Sequence, residues 1–244
     1  MRTNWNLNTL RRLTVAMAAV AVLLRYLMYF IAVDEKGLLI PWNWPGILLA
    51  LVVAAAVAAV VIGCRYLQDA QDNVILVNDW IYGCALALGI AVMLLTEDRR
   101  GDNLANIRLW LGWASVPSVL AVTFGLRMGK RPVFLFHGIV CVFFGLHLVD
   151  YYRFWSGETQ LTNYVFQLFG CVGLMFTAYQ RTAFDVELGN IRILRITELL
   201  TAFACLVAAP DSGKLALFYA AGGMWCLAGL HTPAVQEAQD NEYT

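Results

Sequence analysis

The chain has 244 residues, 60% of them hydrophobic and only 14% charged, with a mean hydropathy of +0.65. Soluble domains sit near half apolar and a quarter charged, so a water-soluble globule of this size could not hide so much apolar surface. Lys plus Arg and Asp plus Glu balance at 17 each, which offers nothing to a nucleic-acid partner and makes the position of each charge the informative quantity.

Asn4 to Arg12 is a polar lead-in, and Leu13 to Val33 is the first apolar run, interrupted by Arg25. A signal-peptide core would be shorter, about 7–15 residues, and would not hold an arginine, so the run is read as a retained span. The turn Asp34–Trp44 carries Trp42 and Trp44 beside Pro41 and Pro45 at an expected interface. Gly46 to Gly63 is the second span. Its alanine-rich centre offers Ala54 with Ala58, or Ala55 with Ala59, as small residues one turn apart that let helices approach closely, which predicts a central position.

The third span, Val74 to Leu95, carries Asn78 and Asp79 about one turn inside, and the polar loop TEDRRGDN follows it. Leu104 to Leu126 is the fourth, with Arg108, Trp110 and Trp113 near its start and Pro117 in its interior, where a kink is expected. The fifth follows the basic turn Gly129–Pro132. At helical spacing it places Val140, Phe143, Phe144, His147, Asp150, Tyr151 and Phe154 on one stripe. A polar face on a membrane helix must look inward.

Leu161 to Tyr179 is the sixth span, with Gln167 and the pair Gly170 and Gly173. The connection from Gln180 to Arg192 reads as a polar loop. Ile191 to Ala209 is the seventh, with Arg195 and Glu198 in its first turns, and Lys214 to Leu230 is a short eighth.

Runs of this length match the ~20 residues a helix needs to cross a bilayer, and the alternating ~10-residue strands of a barrel are absent. The expected fold is all-α, a polytopic transmembrane helix bundle of eight spans, with seven as the alternative. Residues 1–231 would form one membrane domain and residues 232–244 a short acidic cytoplasmic tail. Placing both termini in the cytoplasm puts ten Lys and Arg residues inside against six outside, although Arg99 and Arg100 fall on the wrong side. The plan resembles many multi-pass proteins of bacterial plasma membranes, which implies that location and carries no residue assignment.

With depth counted at ~1.5 Å per residue, Arg25, Arg108, His147, Asp150 and Gln167 share the outer half. Arg25 and Asp150 are natural partners, since a lone arginine in a span costs roughly 2.5–3.5 kcal/mol on insertion scales. The alternative is that Arg25 and Arg108 snorkel to headgroups. Near the cytoplasmic side lie Asn78, Asp79, His137, Arg195 and Glu198. The i, i+3 spacing of Arg195 and Glu198 favours a local pair. Asp79 has no positive partner on its own helix, so Asp79 and Glu198 are the candidates for an ion or proton site.

His147 and Asp150 could act as an oriented general base, but no motif fixes a nucleophile beside them, so an enzyme is not the expectation. No HExxH or HxxxH is present, so no metal is expected. His137 and His147 lie roughly 15 Å apart along one helix and cannot ligate one haem from opposite faces, and no cofactor is expected. Cys64, Cys84, Cys141, Cys171, Cys205 and Cys226 form no CxxC pair and read as small buried hydrophobes. Trp42, Trp44, Trp110, Trp113, Trp155, Tyr151 and Tyr152 fall at belt positions near span ends on the outer side.

Two functions fit these residues. One is a small-solute or ion transporter, permease-like subunit or receptor whose Arg25, His147, Asp150 and Gln167 contact a small polar, most naturally anionic, solute. The other is a non-catalytic membrane scaffold or assembly subunit in which the same groups only lock helices together. Water access to the outer groups would favour the first; mutual pairing under close packing would favour the second.

Overall fold

The computed structural model describes residues 7–32, 40, 43–67, 80–96, 102–127, 134–155, 164–186 and 188–228. Every regular element among them is helical. Eight α-helices follow in order: α1 (Leu7–Ile31), α2 (Trp44–Tyr66), α3 (Trp80–Thr96), α4 (Asn103–Arg127), α5 (Phe134–Trp155), α6 (Val165–Asp185), α7 (Ile191–Ala208) and α8 (Ala216–Ala228). Two 3-10 turns, Ala209–Asp211 and Gly213–Leu215, join α7 to α8.

Local chemistry sets several helix ends. Asn43 caps α2 by accepting a hydrogen bond from the Gly46 amide at 2.6 Å, with Pro45 in the first turn, where its missing N–H costs nothing. Asn190 caps α7 by accepting from the amides of Arg192 and Ile193. Helix α4 runs on through Pro117, flanked by hydroxyls bonded back into the helix: Ser115 donates to the Gly112 carbonyl and Ser118 to that of Ala114, each at 2.7 Å.

Consecutive helices run in opposite directions. Leu10 near the start of α1 packs on Gly63 near the end of α2, and Arg25 near the end of α1 meets Asp211 just beyond α7. We call the end holding the starts of α1, α3, α5 and α7 the near end, and the other the far end. Helices α3, α4, α5, α6, α7 and α8 pack in a closed circuit, each on the next and α8 back on α3. Helices α1 and α2 pack on each other and on α7 from outside that circuit. Helix α7 therefore touches α1, α2, α6 and α8, and eleven of its residues are buried.

The alanine-rich helix α2 is peripheral, contrary to its sequence. Ala54, Ala55 and Ala58 are exposed, and its contact face is Leu49, Ala56, Val60, Gly63 and Cys64. The small side chains whose spacing favours close approach face outward instead.

Polar groups are buried and large apolar ones exposed, as expected when hydrocarbon is the solvent. Phe30 is 84% exposed and Leu95 72%, whereas Arg25 and Arg181 are each 2% exposed. Five helices are long and apolar enough to cross a membrane: α1, α2, α4, α5, and α7 with the turn that follows it. Helix α3, at 17 residues, and α8, at 13, rise only about 25 and 20 Å against a hydrocarbon core of about 30 Å.

Candidate polar sites inside the bundle

The stripe read on α5 faces the interior: Val140, Phe143, Phe144, His147, Asp150 and Tyr151 are all buried. Tyr151 thereby leaves the interfacial belt for the core, while Trp44, Trp110, Trp113 and Tyr152 stay exposed.

Among the described residues the buried far-end layer contains two separate ion pairs, and neither is the expected one. Asp150 Oδ2 lies 3.0 Å from Arg108 Nε, a charge contact off the line of a hydrogen bond, and Arg25 NH2 lies 3.0 Å from Asp211 Oδ2. Packing order explains the exchange. Helix α5 has α4 as its neighbour and presents Asp150 to Arg108, whereas α1 lies against α7, whose end delivers Asp211 to Arg25. Arg25 also donates to the Val207 carbonyl at 3.1 Å, near the C-terminus of α7 where the helix dipole favours a cation. Its guanidinium carbon sits 5.0 Å from the centre of the Phe166 ring. Arg108 is 3% exposed and does not snorkel to the surface.

His147 links the second pair to the core. An Arg108 NH1 lies 3.4 Å from its Nδ1, and a guanidinium has no acceptor, so Nδ1 accepts and the proton of the neutral ring sits on Nε2. That Nε2 is buried and has no hydrogen-bond partner among the described residues. Tyr151 and Phe218 enclose the ring at 4.4 and 5.5 Å between centres. Gln167 is buried on α6 and joins the layer through its backbone, where its carbonyl accepts from the Tyr219 hydroxyl at 3.2 Å. The same hydroxyl lies 3.1 Å from Cys171 Sγ. The four candidate ligand residues Arg25, His147, Asp150 and Gln167 thus share a depth but divide between two clusters with Phe218 and Tyr219 between them.

Near-end chemistry centres on Glu198, whose partner is Arg181 of α6 and not the expected Arg195. Arg181 donates from Nε at 3.0 Å and NH2 at 2.7 Å, both to Glu198 Oε1. Its guanidinium carbon stacks 3.7 Å from the Trp225 ring centre, and NH2 also donates to the Trp225 carbonyl at 3.3 Å. Glu198 is fully buried, and its Oε2 has no partner. By sequence Arg181 falls in a polar loop, because the apolar run stops at Tyr179. The helix instead continues to Asp185 and carries Arg181 inside the bundle. The other candidate for an ion or proton site, Asp79, lies outside the described residues, as do Asn78 and His231.

The chain matches no protein-family model, no curated protein and no solved structure.

Among the described residues, no three His, Cys, Asp or Glu side chains converge as a metal site would require. The six cysteines are free thiols. Cys64, Cys171, Cys205 and Cys226 are buried, and Cys84 and Cys141 are half-buried.

Proposed function

We propose that this chain is a non-catalytic integral membrane component, a scaffold or assembly subunit, whose intramembrane charges hold helices in register. One observation carries the reading: the buried ionisable groups at the far end engage one another across helices under close packing, with Arg108 and Asp150 side chains 4% and 6% exposed. Charges in such pairs have already given up water for each other, which leaves them little to offer a passing solute. The reading keeps eight spans, α3 and α8 being short ones screened by their neighbours, with both termini in the cytoplasm of a bacterium and the bundle in its plasma membrane.

A double-mutant cycle in detergent tests it. Asp150→Asn and Arg108→Gln should each destabilise strongly, by about 3–5 kcal/mol, because each leaves the other charge buried. The double variant should recover much of that loss, and strictly additive losses would refute a packing role.

A second reading, a solute or ion transporter or receptor, is favoured by the partnerless Nε2 of His147 beside Arg108 and Asp150. A water or a polar solute group would satisfy it. Under this reading a small anion or amino acid raises the melting temperature of the purified protein, and His147→Phe removes that rise. A broad thermal-shift screen without a stabilising ligand would remove the reading instead.

A further inference from the structure

A cleft of about 700 Å³ opens at the near end between α1, α3 and α8, far along the bundle axis from the ion pairs of Arg25 and Asp150. Its polar lining among the described residues is Asn8, Arg11 and Arg12 from α1 and Tyr82 from α3, with no carboxylate among them. The Arg12 guanidinium and the Tyr82 phenol face one another's element across the cleft as donors suited to an oxyanion, with the charge of Arg11 beside them. Arg11 donates to the Leu227 carbonyl, which ties α1 to α8 along the cleft. Arg12 is exposed at the mouth. Glu198, whose field reaches Arg11, is already held by Arg181 and lies outside the lining.

The lining changes character with depth. Val15 stands about 10 Å further along α1 than Asn8, and α8 runs the other way, so Met224 lies deeper than Leu227. Charge at the mouth gives way to hydrocarbon within two turns. The arginines sit where the polar lead-in meets the apolar run, which is headgroup depth. A phospholipid makes the same change from phosphate to acyl chain over the same distance. Free phosphate would leave the apolar floor unused, and a zwitterionic lipid would bring its own cation towards two arginines.

We propose that this cleft holds an anionic phospholipid of the adjoining leaflet, its phosphate at Arg12 and Tyr82 and an acyl chain along Val15 and Met224. The site is independent of what the far-end pairs do.

The test compares full-length protein supplied with phosphatidylglycerol, phosphatidylcholine or inorganic phosphate. Phosphatidylglycerol should raise the melting temperature by roughly 5 °C over phosphatidylcholine. Arg12→Gln should lose most of that rise. Arg65→Gln, an exposed arginine of α2 at the same end but outside the cleft, should keep it. Equal melting in the two lipids, a full rise in Arg12→Gln, or an equal loss in Arg65→Gln would overturn the site. A rise reproduced by inorganic phosphate alone would overturn the lipid in favour of a free anion. Should Arg12→Gln fail to fold, native mass spectrometry of the unmodified protein decides: tighter retention of phosphatidylglycerol than of phosphatidylcholine supports the site, and equal retention overturns it.

Discussion

Arg181 shows how much one side chain can settle in a low-dielectric interior. It gives two donors to Glu198 Oε1, one to the Trp225 carbonyl and its flat face to the Trp225 ring, so helices α6, α7 and α8 meet at one guanidinium. A lysine could supply the charge but neither the fork nor the stacking plane. Arg181→Met should therefore destabilise by about 3–5 kcal/mol, because Glu198 would be left buried and uncompensated. Arg181→Met combined with Glu198→Leu should come close to the original stability, since apolar replacement of a buried pair is often neutral or favourable. Denaturation in detergent measures both, and a double variant as unstable as Arg181→Met alone would contradict the pairing. The sequence could not name this pair. Glu198 has an arginine at i−3, and Arg181 lies just past the last apolar residue of its run, so local spacing points to Arg195. Which charges meet is decided by which helices are neighbours. That same unseen order exchanges Asp150 for Asp211 as the partner of Arg25.

Among the elements, what the sequence makes plain is where polar groups cluster. The stripe on α5 from Val140 to Tyr151 is legible because His147, Asp150 and Tyr151 fall at i, i+3 and i+4, and polar groups on one side of a membrane helix must turn inward whatever their partner. Helix α2 misleads because its alanines are spread almost evenly around it, which leaves no face to choose. The close approaches are made by glycines instead, one of them on α6. A Cβ at Gly173 would meet Thr201 Oγ1 well inside contact distance and come within 3.0 Å of Thr201 Cβ on α7. Gly173→Leu should thus force α6 and α7 apart and cost about 1–3 kcal/mol, visible as a lowered melting temperature. Gly138 has open space at the same position, so Gly138→Leu on α5 should cost clearly less. Equal losses would mean that the α6–α7 contact is not as tight as described.

For the molecule as a whole, the circuit of six helices with two appended ones makes α7 the common wall, and the bundle's polarity follows from strict alternation of direction. If all eight helices cross, the starts of α1 and α3 and the end of α8 lie on one side. An impermeant thiol reagent applied to intact cells should then label a cysteine placed at Asn8 and one placed at Glu242 equally poorly, and both strongly once the membrane is opened. Labelling of only one of them in intact cells would put the ends on opposite faces and require one fewer crossing. Hydropathy alone leaves this count open because the eighth apolar run is short and the third carries Asn78 and Asp79. Helix α8 packs on α3 and α7, neighbours that screen what its own length leaves short.

The position of α7 late in the chain has a bearing on biogenesis. Arg25 is separated by 182 residues from Val207, the carbonyl it binds, and Asp211 comes later still. While a ribosome is still translating the middle of the chain, the first two helices already exist with an arginine whose counter-charge does not. They must linger at the translocon, draw in water, or be shielded by a chaperone until the last third arrives. A message cut short before codon 211 would leave that arginine facing lipid, a defect membrane quality-control proteases are equipped to find.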